Sequence, residues 1–291
     1  MKPFPKNSLG EMMVYCIGEL KSAGIENPER EVELMMMSLL GDNRSALYGD
    51  RSKIMSEADR QILTKFLDRR LSGEPVQYIL GETEFYGLTF KVDGRALIPR
   101  PETESLVERA LEILKKIDRP RVLDIGTGSG AIAVALAVNS DCKVTAIDYS
   151  GEALSLAMEN CILNHVEDKV KLAELDFLSD DFAEQLGNKF AMVVSNPPYI
   201  AGNEVPDLDV CIRDFEPVIA LTDDEDGLKF YRRLAKIVKD ICQPGGWIIL
   251  EIASVRDSEV MKILENSLEN LQIFPDLTGK PRVAVGRCSL N

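Results

Sequence analysis

The sequence predicts an α/β fold on a mainly parallel sheet, preceded by a small all-helical unit. Three observations carry this reading. Short apolar strands alternate with helical patterns from Arg121 onward, the first of these strands enters its helix through a run of glycines, and the last two strands are joined by only Thr278-Gly279-Lys280-Pro281. So short a link makes those two strands antiparallel neighbours, because a parallel crossover needs about a dozen residues or more.

Taken in order, the helical unit begins with an amphipathic pattern over Leu9 to Ser22. NPEREVELMMMSLLG follows, with Asn27 as N-cap and Pro28 at the first helical position, and SEADRQILTKFLDRRLSG starts on Ser56 as a cap. Met35, Met36 and Met37 sit inside the second helix and read as core filling, the ordinary use of an unbranched, adaptable side chain. From Glu82 the texture becomes TEFYGLTFKVDGRALIPR, two β-like runs around Asp93-Gly94, which predicts a connecting hairpin turning at that pair. PETESLVERALEILKKI is a helix with early carboxylates and late lysines, as the helix dipole favours. RVLDIG, KVTAID, VKLAELD and FAMVVSN are the strands that follow, with AIAVALAVN and GEALSLAMENCILN as helices between the first three. GLKFYRRLAKIVKDIC reads as a helix, GGWIILEI as a strand, and LQIFPDL with RVAVGRC closes the sheet. The domains expected are 1–75 (helical), 76–100 (connecting hairpin) and 101–291 (α/β).

A hydrophobic fraction of 45% with 28% charged residues is that of a soluble globular protein. With 34 Lys+Arg against 48 Asp+Glu the formal charge is −14, which disfavours a phosphate backbone as partner. The six cysteines form no C-x-x-C pair and have only His165 to join them in a metal site, so no metal is expected and the thiols read as reduced and mostly buried in a cytoplasmic protein. MKPFPKNSLGEMMVY carries no apolar run of signal length, and nothing approaches a membrane span, so neither export nor a membrane anchor is expected.

Asp124-Ile125-Gly126-Thr127-Gly128-Ser129-Gly130 joins the first sheet strand to its helix. Glycines there let the backbone pass close to a ligand in front of free helix N–H groups. Asp148 ends the next strand, where an acid can accept from a ribose diol. Asp176 and Phe177 follow the third strand at the same sheet edge, where Asp176 could accept from an adenine amino group and Phe177 could pack on the ring or simply fill the core. The G-x-G-x-x-G spacing and second phosphate region of a dinucleotide enzyme are absent. The glycine spacing and the antiparallel final strand instead resemble the Rossmann-like sheet of class I S-adenosylmethionine-dependent methyltransferases.

The fourth strand leads into SNPPYI. Pro197 and Pro198 fix φ and lack N–H groups, so the loop is stiff, with carbonyl oxygens free to accept. The Asn196 side-chain oxygen beside a proline carbonyl can hold both hydrogens of a planar amino group, with Tyr199 stacked behind it. Drawing both N–H bonds into fixed acceptors favours a pyramidal nitrogen and aims its lone pair at a methyl donor, with no strong base required.

SNPPYI, FEPVIAL (215–221), DGLKFY (226–231), PVQYILGETEFYGLTFKV and LIPRPETE (97–104) together resemble the protein-glutamine methyltransferases of the PrmC/HemK family over nearly the whole chain. The resemblance implies S-adenosylmethionine as cofactor, peptide chain release factors as protein substrate, and methylation of the glutamine amide nitrogen in their Gly-Gly-Gln loop. It implies that Gly126, Thr127, Gly128, Ser129 and Gly130 wrap the methionine part of the cofactor, Asp148 the ribose, and that Phe177 borders the adenine. Asn196, Pro197, Pro198 and Tyr199 would hold the glutamine. The expected state is a monomer that binds no nucleic acid directly and no membrane. Where the family often shows E-x-G-x-x-Q, this chain has Glu251, Ala253 and Arg256, a departure expected to touch none of these site residues. Two rivals share N-P-P-Y: a glutamine methyltransferase acting on a ribosomal protein, and a DNA adenine methyltransferase that flips its base out of the duplex. LIPRPETE and the helical start favour the release-factor enzyme over the first, and the acidic balance disfavours the second.

Overall fold

A computed structural model describes residues 8–41 and 43–290. Part of the N-terminal stretch from which the absence of a leader was read, up to Asn7, lies outside the described residues. The chain divides into two compact units, one running to Gly81 and including Val210–Phe215, the other holding Glu82–Asp209 and the rest of the chain from Glu216.

The first unit is helical, with α1 (Leu9–Ser22), α2 (Pro28–Leu40), α3 (Arg44–Gly49), α4 (Glu57–Leu71) and α5 (Val76–Leu80). The side chain of Ser56 caps α4 by accepting from the Asp59 N–H at 3.1 Å. Asn27 precedes α2 as expected but sits at φ 54° and makes no side-chain capping bond. Met12, Met13, Met35 and Met36 are fully enclosed with Leu20 and Leu63, so the Met run is core. Methionine's three rotatable bonds let it fill the irregular spaces between short helices.

The second unit opens with a two-stranded hairpin, β1 (Glu82–Phe85) and β2 (Leu88–Lys91). Its turn is Tyr86-Gly87, not Asp93-Gly94. Tyr86 at φ 52° and Gly87 at φ 71° supply the two positive φ angles that match a tight turn to strand twist. Asp93 instead accepts from the backbone and guanidinium of Arg95, so the Asp-Gly pair shapes the exit from the hairpin. A 3-10 turn (Pro101–Thr103) leads into α6 (Glu104–Leu114), and Glu104 accepts from the Tyr86 N–H at 2.8 Å.

The sheet is then laid down as β3 (Arg121–Ile125), α7 (Ala131–Asn139), β4 (Lys143–Asp148), α8 (Gly151–Leu163), β5 (Val170–Glu174), α9 (Phe182–Leu186) and β6 (Phe190–Ser195). The short helices α10 (Val210–Arg213) and α11 (Val218–Leu221) precede α12 (Lys229–Ile241), β7 (Cys242–Glu251), α13 (Asp257–Leu264), β8 (Leu268–Pro275) and β9 (Pro281–Cys288). Strand order is β5-β4-β3-β6-β7-β9-β8, parallel from β5 to β7, with β9 antiparallel to both β7 and β8. Residues Ala131 to Ala137 of α7 are all buried, as expected of a helix with no polar face. Chain order reverses between β3 and β6, and α/β sheets open a ligand crevice at the carboxyl ends of strands where this happens.

Candidate active site

The crevice holds a cavity of about 600 Å³, entirely within the second unit. Its floor is the glycine-rich turn after β3. The N–H groups of Gly126 and Thr127 both donate to the Ile147 carbonyl at 2.9 Å, and Gly128 N–H donates to Asp148 Oδ2 at 2.8 Å, so the turn is stitched to the end of β4. Asp148 Oδ1 accepts from Ser150 N–H at 2.9 Å. Each carboxylate oxygen thus keeps a lone pair for a further donor, and burial raises the Asp148 pKa above the usual carboxylate range. At Gly126, φ 71°, a β-carbon would meet no atom within 4 Å. The backbone is open to the cavity there, which is the cradle an extended nucleoside ligand requires, and these residues fit S-adenosylmethionine. Beneath the turn, Asp124 is fully buried, accepts from Thr127 Oγ1 at 2.7 Å, and is pushed up by burial to about 7.

Gly126, Thr127, Gly128, Ser129, Asp148, Asp176, Phe177, Asn196 and Pro198 line this one cavity, whereas Gly130, Pro197 and Tyr199 do not. Gly130 begins α7 at φ 82°, and a β-carbon there would come within 3.2 Å of Ala157, so it serves the close approach of α7 to α8. β5 stops at Glu174, which leaves Asp176 and Phe177 in the following turn. Asp176 is exposed and accepts from Leu178 N–H, while the Phe177 ring stacks on Phe230 at 5.9 Å and meets Phe182 edge-on at 5.3 Å. Phe177 therefore belongs to the core and borders the cavity at once.

The SNPPY loop is held from several directions. Ser195 Oγ donates to the Ile125 carbonyl at 2.7 Å, and Ile200 N–H donates to the Leu221 carbonyl at 3.1 Å. Gly227, at φ 77°, lies so close beneath the loop that a β-carbon would fall 2.3 Å from the Tyr199 carbonyl oxygen, which explains the glycine in DGLKFY. Asn196 Nδ2 donates to Thr103 Oγ1 at 3.2 Å, and Thr103 donates to Glu251 Oε2 at 2.6 Å. Tyr199 OH lies 3.4 Å from Glu251 Oε1 as a donor. Glu251, which keeps the acid of the E-x-G-x-x-Q pattern, thus meets the loop, because the sheet register pairs Ser195 with Leu250 and brings the next residues, Asn196 and Glu251, to one edge. Glu216, also buried, accepts from Ile98 N–H at 3.2 Å and from Arg100 at 2.5 Å, joining LIPRPETE to FEPVIAL across one wall. Of the departing positions, Arg256 donates to Glu204 Oε1 at 2.7 Å, and Glu204 Oε2 accepts from Ala201 N–H just after the loop.

Thr103, which lines the cavity, and the buried Glu216 and Glu251, which bond to residues of its wall, are polar residues to which the sequence assigned no part. For Thr103 and Glu216 the signal was the pair of motifs LIPRPETE and FEPVIAL, which carried the resemblance without a stated chemical purpose; Glu251 lies in neither and falls within GGWIILEI.

Residues 11–81 match the PrmC N-terminal domain family, and residues 106–212 match the methyltransferase small domain family. The chain is 37% identical over 291 residues to a release factor glutamine methyltransferase of Fusobacterium nucleatum, covering 98% of this chain and 80% of that one. It is 39% identical over 273 residues to one of Koribacter versatilis, covering 94% and 95%. A T. thermophilus 16S rRNA N2 G1207 methyltransferase solved with AdoMet and guanosine superposes with a TM-score of 0.50 at 18% identity, over 71% of this chain and 49% of that one, a likeness of fold.

Proposed function

The chain belongs to the release factor glutamine methyltransferase family, and from that premise we propose that it transfers a methyl group from S-adenosylmethionine to the glutamine side-chain nitrogen in the Gly-Gly-Gln loop of release factors. The observation that carries this reading is that Asn196 and Pro198 wall the same cavity as the glycine-rich turn and Asp148. When bound, S-adenosylmethionine supplies an electrophilic methyl group on a sulfonium.

Asp148 would accept from the ribose hydroxyls, Gly126 and Gly128 would let the backbone approach the methionine part, and Phe177 would border the adenine. Asn196 Oδ1 and a loop carbonyl would take the two amide hydrogens of the glutamine. An amide nitrogen is a poor nucleophile because its lone pair is delocalised, so fixed acceptors that favour pyramidal nitrogen raise its reactivity and orient it together. The methylated nitrogen carries positive charge until it sheds a proton, and a cationic amide is acidic enough to lose it to water. In the same reading the helices of the first unit dock the protein substrate, and the protein acts in the cytoplasm as a monomer. Among the described residues no helix is long and apolar enough to cross a membrane.

Mass spectrometry of a release factor incubated with the purified chain and S-adenosylmethionine tests the proposal. One methyl group gained on the loop glutamine is the expected result; an unmodified glutamine would sink it.

A further inference from the structure

An asparagine amide presents an acceptor at one end and a donor at the other, and the two ends have nearly the same shape. For glutamine methylation only one orientation of Asn196 is useful, since its oxygen must face the acceptor. Its own loop does not decide the matter, because the prolines beside it constrain the backbone and leave the side-chain amide free to turn over.

The decision is made by LIPRPETE and the end of β7. Thr103 Oγ1 has a single proton, and it lies 2.6 Å from Glu251 Oε2. An ionised carboxylate only accepts, so that proton is committed to Glu251, and only lone pairs of Thr103 remain to face Asn196 at 3.2 Å. Asn196 must then meet Thr103 with its NH2 group, which turns Oδ1 away from Thr103. Glu251 is itself immobilised: Tyr199 OH approaches its Oε1, and Tyr231 OH donates to its backbone carbonyl at 2.8 Å. We infer that Thr103 and Glu251 are positioning residues for methyl transfer, a hydroxyl–carboxylate relay that fixes which end of the Asn196 amide meets the glutamine. The inference rests on the reading of Asn196 as the residue that holds the acceptor amide.

The relay has two proton states. Burial raises Glu251 to about 7, against the opposing influence of Thr103, Arg282 and Tyr199, while Glu102 adds to the rise. Once protonated, Glu251 can donate to Thr103, the Thr103 proton is freed toward Asn196, and the amide is stable turned over, with NH2 where an acceptor is needed. Loss of activity on the acid side of neutrality follows. Asp124 titrates in the same range, so the pH profile alone does not identify the group, and the profile of Glu251→Gln does.

The test compares the full-length parent chain with Thr103→Val, Thr103→Ser and Glu251→Gln. Single-turnover methyl transfer to release factor is measured at saturating substrate from about pH 6 to 9, and S-adenosylmethionine affinity is measured by calorimetry. Thr103→Val is expected to slow transfer about 10- to 100-fold, the usual range for losing a residue that orients a functional side chain, with cofactor affinity within about twofold of the parent. Thr103→Ser should recover most of the loss, and Glu251→Gln should lack the acid limb near pH 7. An active parent matched in rate by Thr103→Val, or an acid limb unchanged in Glu251→Gln, overturns the relay alone. A parent that leaves the glutamine unmodified removes the functional reading and the relay with it.

Discussion

The two halves of the cavity are built in opposite ways. On the nucleoside side the work falls to backbone: the glycine-rich turn is joined to Asp148, 20 residues on, by the N–H of Gly128, and the N–H of Ser150 holds the other carboxylate oxygen. On the acceptor side it falls to side chains brought from far along the chain, with Thr103 and Glu251 separated by 148 positions and Arg100 and Glu216 by 116. A backbone site is sensitive to changes of φ and tolerant of many side chains. A site of interlocked side chains is the reverse, and each of its members depends on the others.

That contrast can be broken by mutations whose effects cross from one half to the other. The largest effect expected is from Asn196→Ala, which should slow single-turnover transfer by about 100-fold or more while leaving cofactor affinity nearly intact, as when one preorganised partner of a reacting group is removed. Asn196→Asp keeps an acceptor and should retain more activity than the alanine variant. An alanine variant as fast as the parent would reduce the loop to a structural part. Next in size, Asp148→Ala should weaken S-adenosylmethionine binding by about 1 to 3 kcal/mol through loss of charge-assisted hydrogen bonds. Calorimetry on the folded variant showing parental affinity would take Asp148 out of the site. The smallest effect serves as a control outside both halves. Gly87→Ala forces a β-carbon onto the φ 71° position of the hairpin and should cost about 1 kcal/mol in denaturant unfolding. It should leave transfer rate and cofactor affinity alone, and a change in either would mean that the hairpin is coupled to the cavity.

The same contrast governs what could be read from the sequence. The sheet strands and the long helices were legible because period and composition are local properties, and AIAVALAVN coincides with α7. Helices of four to six residues, such as α3, α5, α9, α10 and α11, went unread because so few residues span less than two turns and show no period. The hairpin turn was misplaced because a tyrosine at φ 52° is an unusual occupant, whereas Asp93-Gly94 has the ordinary turn composition. The glycine turn, Asp148 and Asn196 stand out as local motifs at strand ends. The link from Asn196 through Thr103 to Glu251 depends on a sheet register that no local pattern contains.

Arg256 stands where the family often carries glutamine, and it binds Glu204 Oε1 at 2.7 Å while the other carboxylate oxygen of Glu204 holds Ala201 N–H. Changing Arg256 alone removes the cation that faces Glu204 beside the loop, whereas changing Glu204 alone leaves Arg256 with Glu259 at 3.9 Å. Descent should therefore treat the two positions as one character. An arginine at position 256 is expected to accompany an acid at position 204, and an alignment of relatives in which the two vary independently would remove that coupling.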